Sequence, residues 1–240
     1  MNRPLVLLCS PHPNGVSDTV AALFAQGMAD AGQQPRLLPL RDYAFAPCTN
    51  CGGCTAPPHR CTQDQDGDHA EAILQHILAA PLVLLASPIY FYSLPAHFKA
   101  LIDRSQRFWA GQTHGAGHPG RPHTQIKPVL AALCAGRSHG DKLFAGALLT
   151  LKYFLAPLNA CIRENRLLRG LETTQDLLER PAVCGALRSW GHDWGSRLAA
   201  RQQAGAAADQ TAPNTSRPDA THQAPLLPDA TTGQTRPPFR

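Results

Sequence analysis

The stretch RPLVLLCSPHPNGVSDTV, residues 3–20, decides the fold class, because it leads from an apolar run through a polar turn into a helical pattern. The run from Leu5 to Cys9 is short, apolar and flanked by prolines, which is typical of a strand buried on both faces. After the turn, apolar residues recur at helical spacing as far as Gly32, namely Val20, Leu23, Phe24 and Met28. The stretch therefore predicts a strand–turn–helix unit.

The same alternation repeats along the chain. Further apolar strands are predicted over residues 35–40, 81–87, 127–136 and 160–170, and helices over 70–80, 95–109, 141–158 and 180–200. Continuous apolar strands that alternate with helices indicate a parallel sheet covered on both faces. Pro39 favours an edge position for the second strand, because proline cannot donate to the ladder. We therefore predict an α/β fold with a doubly wound, five-stranded parallel sheet in three layers.

One domain is predicted over residues 1–201, and it includes a Cys-rich loop over residues 46–67. From residue 202 to 240 the composition changes, with six prolines and almost no apolar periodicity. Such a segment cannot bury enough apolar surface to fold, so we predict a disordered tail over 202–240.

The charge balance favours anionic ligands over nucleic acid as partners. The net charge is +5, from 22 basic and 17 acidic residues, and the basic residues are scattered. Scattered charge disfavours a nucleic-acid surface and suits ligands such as phosphates and nicotinamide nucleotides. The first apolar run is too short for a signal peptide or a membrane span, so we expect a soluble, cytoplasmic protein without a membrane partner.

The turn after the first strand has the residue types of a phosphate site. Ser10, Ser17 and Thr19 supply hydroxyls, Asn14 supplies an amide, and Gly15 permits close backbone approach. The helix that follows adds free N–H groups and a positive dipole end, which suit a phosphate monoester. The dinucleotide and NTP glycine fingerprints are absent from it. The alternative is an ordinary turn in which Ser17 or Asp18 caps the helix.

A second unusual turn, SPIYFYSLP at residues 87–95, follows the third strand. Both turns follow the carboxyl ends of parallel strands, so they should share one rim of the sheet. Pro88 fixes the local backbone, and Ile89, Tyr90 and Phe91 present N–H groups and apolar faces to a flat ring. The alternative is a hydrophobic corner that packs on the next helix.

The eight cysteines fall into two groups. Four lie in one segment, namely Cys48, Cys51, Cys54 and Cys61. The others lie in apolar surroundings and are expected to be small core residues, namely Cys9, Cys134, Cys161 and Cys184. The C-x-x-C-x-x-C spacing with a fourth cysteine after a short loop suits a [4Fe–4S] cluster better than zinc, which usually takes two spaced pairs. A zinc site that includes His59, or free or redox-paired thiols, are the alternatives.

Together the motifs CSPHPNG…T, SPIYFYSLPAHFKALIDR and the spaced cysteines resemble the flavodoxin-like NAD(P)H-dependent FMN reductases, in their iron–sulfur flavoprotein branch. The resemblance extends over residues 4–200 and implies a flavodoxin-like fold. It implies that the FMN phosphate contacts are Ser10, His12, Asn14, Ser17 and Thr19, and that the ring contacts are Pro88, Ile89, Tyr90 and Phe91. Gly136, in CAGRSHG after the fourth strand, is the matching close-approach position. Family members often have arginine where this chain has His12.

The resemblance implies an FMN-dependent oxidoreductase that takes electrons from NAD(P)H or a ferredoxin-type donor. It would pass them through a [4Fe–4S] cluster to a small-molecule acceptor, as a homodimer or homotetramer. The alternatives are a cluster-free NAD(P)H:quinone or flavin reductase, a non-enzymatic flavodoxin-like electron carrier, and a zinc-bearing interaction module without flavin. For Lys99, Asp103 and Arg104 we expect a structural role, because Lys99 and Asp103 are four apart on a helix and can pair.

Overall fold

The computed structural model describes residues 2–113 and 126–211 together with Leu227. Within this part of the chain, one parallel sheet contains β1 (Leu5–Leu8), β2 (Arg36–Pro39), β3 (Val83–Pro88), β4 (Lys127–Ala135) and β5 (Ala160–Arg169). The strand order is β2-β1-β3-β4-β5, which is the order of a flavodoxin-like doubly wound sheet. The predicted fold class is confirmed, and β2 with Pro39 lies at an edge.

The helices cover both faces of the sheet. They are α1 (Val16–Asp30), α2 (Ala70–Ala79), α3 (Ala96–Arg104), α4 (Gln106–Thr113), α5 (Ala145–Leu155), α6 (Thr174–Leu178) and α7 (Pro181–Thr211). Short 3-10 turns lie at Leu40–Asp42, Gly53–Thr55 and Ala156–Leu158. None of these described helices combines the length and the apolar character needed to cross a membrane.

Two apolar cores form because side chains alternate between the two faces of each strand. Leu5 and Leu7 of β1 face the core that is built with α2, α3 and α5. Val6 and Leu8 face the other core, which is built with α1 and α7. Since both faces of the central strands are buried, the strands read as continuous apolar runs in the sequence.

The helix predicted over 95–109 is divided in the structure between α3 and α4. Ser105 interrupts it: its hydroxyl donates to the Ile102 carbonyl at 2.6 Å, and its N–H is shared between the Leu101 and Ile102 carbonyls. Serine competes in this way for backbone groups that a regular helix would use. The interruption places Arg104 at the C-terminal end of α3.

The last helix, α7, runs to Thr211, whereas the tail was predicted to begin at residue 202. Leu227 is buried and belongs to the core on the face of α2, α3 and α5. The other residues of the predicted tail beyond 211, and residues 114–125 between the third and fourth predicted strands, lie outside the described part of the chain.

Candidate functional site

The turns predicted to share a rim do lie at the same edge of the sheet. β3 is flanked by β1 and β4, and all three strands are parallel. At their carboxyl ends the Cys9 N–H donates to the Ala86 carbonyl, and the Ile89 N–H donates to the Cys134 carbonyl, both at 2.8 Å. The turn after β1, the turn after β3 and Gly136 after β4 therefore surround one edge, where ligands bind in open parallel sheets.

In the turn after β1, helix α1 begins without a side-chain cap. Gly15 is the N-cap of α1, and no side chain accepts a capping hydrogen bond from the first amides. Neither Ser17 nor Asp18 therefore caps the helix, as the alternative interpretation proposed. Instead the Asp18 carboxylate accepts from the Asn14 N–H at 2.9 Å, and Asn14 takes a left-handed conformation with φ of 57°. The uncapped amides retain the capacity to bind an anion.

Two of the predicted phosphate hydroxyls are engaged inside the protein. The Ser17 side chain is buried and hydrogen bonds with the Cys134 thiol. Burial, the larger effect, raises the pKa of that thiol to about 12. The Thr19 hydroxyl donates to the Gly15 carbonyl at 3.1 Å. Ser10 stays in the turn itself, where its Oγ lies 3.1 Å from both the N and the O of His12.

Arg41 is a residue of this site that the sequence analysis missed. It lies in the 3-10 turn after β2, and its Nη2 donates to the Asp18 carboxylate at 2.8 Å while Nη1 donates to the Ser10 carbonyl at 3.2 Å. The Arg41 and Asp18 side chains are only 16% and 9% exposed. The pair neutralises the carboxylate that would otherwise repel a phosphate. The adjacency of β2 and β1 in the sheet was the available signal.

The turn after β3 exposes aromatic side chains on a constrained backbone. Tyr90 and Ser93 exchange two backbone hydrogen bonds of 3.0 and 2.9 Å. Between them Phe91 and Tyr92 both have positive φ angles, 49° and 61°, a region that costs non-glycine residues about 1–2 kcal/mol each. The Phe91 side chain is fully exposed, so it does not pack on the next helix as the alternative interpretation required. Exposed aromatics held by strain indicate a binding surface.

Gly136 lies at the same edge, but the space beside it is already used. A Cβ on Gly136 would lie 2.4 Å from the carboxyl carbon of Glu172. The Glu172 carboxyl group therefore occupies the space beside Gly136 that the missing side chain leaves open.

The four clustered cysteines lie between β2 and α2, and all of them are free thiols. The Cys51 sulfur lies 3.1 Å from the Thr62 hydroxyl, and the hydrogen bond with Thr62 is the main reason that the pKa of Cys51 is lowered. The Asn50 N–H donates to the Cys48 sulfur at 3.4 Å. Burial, followed by the charges of the other three cysteines, raises the pKa of Cys54.

The four clustered thiols supply the donor type and number that an iron–sulfur cluster takes. Four thiols act on one another electrostatically, and backbone and hydroxyl groups hydrogen bond to their sulfurs, as they do around such clusters. His59, the residue of the zinc alternative, directs its Nδ1 to the Cys54 carbonyl at 3.0 Å. Among the residues that the structure describes, no three His, Cys, Asp or Glu side chains are arranged to hold a metal ion.

Lys99 and Asp103 form the predicted ion pair, 2.6 Å apart, with both side chains nearly half exposed. An exposed pair of this kind contributes little beyond local helix stability. Arg104 instead points inward and pairs with Asp68.

Comparison with known proteins identifies the family. The sequence profile of the NADPH-dependent FMN reductases matches residues 3–158, which is more than half of the chain. The chain belongs to this family. Over 97 residues it is 30% identical to an iron–sulfur flavoprotein of Methanocaldococcus jannaschii, covering 40% of this chain and 48% of that protein. Over 60 residues it is 40% identical to an iron–sulfur flavoprotein of Methanosarcina thermophila, covering 25% and 29%. The chain thus spans less than half the length of these curated relatives.

Solved structures share the fold of this FMN reductase family member. An azoreductase from Bacillus anthracis superposes with a TM-score of 0.56 at 16% identity, covering 82% of this chain and all of that chain. A NAD(P)H:quinone oxidoreductase from Methanothermobacter marburgensis gives a TM-score of 0.55 at 14% identity, covering 82% and 95%. At these identities the likeness supports the doubly wound fold alone.

Proposed function

We propose that this protein is an FMN-dependent oxidoreductase that accepts electrons from NAD(P)H or a ferredoxin-type donor. In this proposal it passes them through a [4Fe–4S] cluster at Cys48, Cys51, Cys54 and Cys61 to a small-molecule acceptor. The observation that carries the proposal is the single sheet edge that brings together an uncapped helix N-terminus and an exposed aromatic turn, in a chain of the FMN reductase family.

The phosphate end of FMN would bind at the turn after β1. The free amides at the start of α1, at the positive end of the helix dipole, would bind the phosphate, and Ser10 would contribute its hydroxyl. Arg41 adds positive charge beneath the turn and keeps Asp18 from opposing the phosphate. His12 and Asn14 complete this part of the proposed site, whereas the Ser17 and Thr19 hydroxyls act by holding the turn in shape.

The ring end of FMN would bind against the turn after β3. Pro88 and Ile89 present backbone and apolar surface, and Tyr90 and Phe91 offer exposed ring faces that stack on a planar ligand and exclude water from it. When bound, FMN supplies the exchange between hydride transfer and single-electron transfer, while the protein supplies position and electrostatics. No side chain is required as an acid or base for hydride transfer.

The cluster in this proposal is supported by the thiol chemistry of the Cys-rich loop and by the relatives that are named iron–sulfur flavoproteins. Four cysteines in one segment provide the number of ligands that a [4Fe–4S] cluster takes.

We also propose that the protein forms a homodimer or homotetramer. Phe91 is fully exposed, and Leu149 and Tyr153, one turn apart on α5, are more than half exposed. The Tyr92 carbonyl approaches the Gly146 position at the start of α5, so the aromatic turn and α5 are neighbours. A second copy that covered these side chains would remove apolar surface from water. Sedimentation velocity tests this, and a monomer at micromolar concentration would contradict it.

The test of function is anaerobic purification followed by an absorbance spectrum and by FMN, iron and sulfide analysis. The proposal predicts FMN together with about four irons per chain and anaerobic oxidation of NAD(P)H, or reduction by a ferredoxin. Cys51→Ser should lose iron and keep FMN, whereas Cys161→Ser, outside the Cys-rich loop, should keep both.

Flavin without iron after reconstitution would favour the cluster-free reductase. Flavin without NAD(P)H turnover but with fast ferredoxin exchange would favour the carrier. A colourless protein would refute the proposal.

A further inference from the structure

Arg104, at the end of α3, joins the two flanks of the Cys-rich loop. Its Nη1 donates to the Ala46 carbonyl at 2.9 Å, and Nη1 and Nη2 donate to the Asp68 carboxylate at 2.7 and 3.0 Å. Ala46 begins the loop and Asp68 directly follows it. The Arg104 side chain is 1% exposed and that of Asp68 10%, so one buried guanidinium ties both ends of the loop together.

The two flanks also meet directly: the Ala46 N–H donates to the Asp68 carboxylate at 3.2 Å, and the His69 N–H donates to the Ala44 carbonyl at 3.0 Å. Residues 44–46 and residues between Gln63 and Asp68 line an open groove of about 470 Å³. Beside this groove the Asp68 carboxylate accepts from both the Ala46 N–H and Arg104, so Arg104 fixes the carboxylate on which the junction of the flanks depends. A buried charge that loses its partner is costly, which makes the link specific to this pairing.

Cys61, one of the four clustered cysteines, lies close enough to this guanidinium to interact with its charge. Burial opposes the charge of Arg104, and the Asp68 carboxylate, which accepts from both terminal nitrogens, is its main compensation. Arg104 Nε is buried and, among the described residues, has no hydrogen-bond partner. Cys61 is also the cysteine separated from the others by the longest gap in sequence. A long gap leaves the position of Cys61 less fixed by local geometry than those of Cys48, Cys51 and Cys54.

We propose that Arg104 is a positioning residue for the iron–sulfur site. It sets Cys61 against the Cys48–Cys54 segment by joining the flanks of the loop, and it places a buried positive charge beside the thiolate ligands. The inference rests on the proposed function, because it concerns a cluster bound at these cysteines. Groups that orient metal ligands change metal retention, and charge and hydrogen bonds near the sulfurs set the reduction potential of a cluster. A positive charge stabilises the reduced, more negative cluster.

The experiment compares Arg104→Gln and Arg104→Lys with Arg107→Gln as a matched control. Arg107 lies on α4 and pairs with Glu71 of α2, with the two side chains 13% and 21% exposed, so its replacement also removes a half-buried ion pair near the loop. Each full-length protein is reconstituted anaerobically. Iron release to a chelator, the midpoint potential of the cluster and the FMN content are then measured.

Arg104→Gln should release iron at least about tenfold faster than the wild type, and its cluster potential should be lower. Arg104→Lys should restore the potential towards the wild-type value, because it restores the charge, while releasing iron faster, because it cannot bridge Ala46 and Asp68. Arg107→Gln should match the wild type in both measurements. Unchanged FMN content shows that a variant is folded, and should Arg104→Gln fail to fold, Arg104→Lys carries the comparison alone.

The inference is overturned when Arg104→Gln releases iron as slowly as Arg107→Gln and has the same cluster potential. If Arg104→Gln does not fold, iron release from Arg104→Lys as slow as from Arg107→Gln overturns it. A lysine variant whose potential equals that of the glutamine variant overturns the role of the charge. A wild-type chain that takes up no cluster refutes the proposed cluster and, with it, the role of the charge. Hydrogen exchange on the metal-free proteins then decides the role in joining the loop: faster exchange over residues 46–68 in Arg104→Gln than in Arg107→Gln supports it, and equal exchange overturns it.

Discussion

Replacing Gly191 by alanine should separate α1 from α7 and destabilise the fold. The two helices meet through glycines: a Cβ on Gly191 would lie 2.0 Å from the Phe24 carbonyl oxygen, and a Cβ on Gly27 would lie 1.9 Å from the Arg188 carbonyl oxygen. Phe24 and Trp190 pack edge to face beside this contact, with ring centroids 5.1 Å apart. Real Cβ atoms do not approach other atoms closer than 3.0 Å, so the Gly191→Ala variant must move the helices apart by about 1.0 Å.

The size of the effect follows from two opposing contributions. Overpacking costs about 1–3 kcal/mol, and the upper end applies here because the obstructing atom is a backbone carbonyl that cannot rotate away. Alanine gains about 1 kcal/mol over glycine in a helix interior. We expect a net loss of about 2 kcal/mol in the free energy of unfolding, or a melting temperature lower by about 4–8 °C for a chain of this size.

Gly185→Ala is the matched control on the same helix. Gly185 is exposed, and an added Cβ there would meet nothing within 4 Å. This variant should gain up to about 1 kcal/mol from helix propensity alone. Differential scanning calorimetry and urea unfolding of both variants measure the difference of about 3 kcal/mol between them. FMN retention adds a second readout, because α1 begins at the turn after β1. A Gly191→Ala protein that melts at or above the wild-type temperature would refute the close helix contact.

Three further substitutions test the two turns and the loop. Arg41→Met should lower the free energy of unfolding by about 2–3 kcal/mol in urea titrations and weaken FMN binding, because it leaves the Asp18 carboxylate buried without its partner. The double variant with Asp18→Asn should recover this stability. A double variant no more stable than Arg41→Met would contradict the Arg41–Asp18 ion pair. Phe91→Gly should raise stability by about 1 kcal/mol, because glycine tolerates positive φ, yet lower FMN retention; a loss of stability would show that no strain exists. Burial raises the pKa of Asp68, but hydrogen bonds, chiefly from Arg104, outweigh burial and lower it. The stability that Asp68 contributes is therefore present at neutral pH and lost as pH falls below the ordinary carboxyl pKa of about 3.9. Asp68→Asn should be less stable at pH 7 and lose less on acidification; equal acid sensitivity in urea titrations would contradict this.

The sheet could be predicted from sequence because its strands are buried on both faces. Continuous apolar runs such as Leu5–Leu8 indicate strands that are buried on both faces, and Pro39 indicates that β2 lies at the edge of the sheet. The extent of α7 was harder to predict. Its last turns contain Ala204, Ala206, Ala207 and Ala208, whose high helix propensity favours a helix, whereas the proline-rich composition of the segment as a whole favours a disordered tail.

The candidate site was predicted in its location and only partly in its contacts. Sequence shows that Ser17 and Thr19 carry hydroxyls, but their directions depend on packing: one hydrogen bonds with Cys134 and the other with the backbone of Gly15. Arg41 contacts Asp18 from the turn after the neighbouring strand β2, and no local sequence pattern reveals that contact. The same limit applies to Arg104, which meets Ala46 and Asp68 across 58 and 36 residues of sequence.

Helix α3 connects the two proposed cofactor sites. It begins three residues after Ser93, the last residue of the aromatic turn, and ends at Arg104, so its nine residues extend about 14 Å between that turn and the Cys-rich loop. Phe98 and Leu101 are fully buried and fix the helix against the sheet. The exposed Lys99–Asp103 pair supports its outer face. The K-x-x-x-D-R pattern therefore needs no catalytic role: its first two charged residues support a rigid helix, and its arginine attaches the end of that helix to the loop that would carry the cluster.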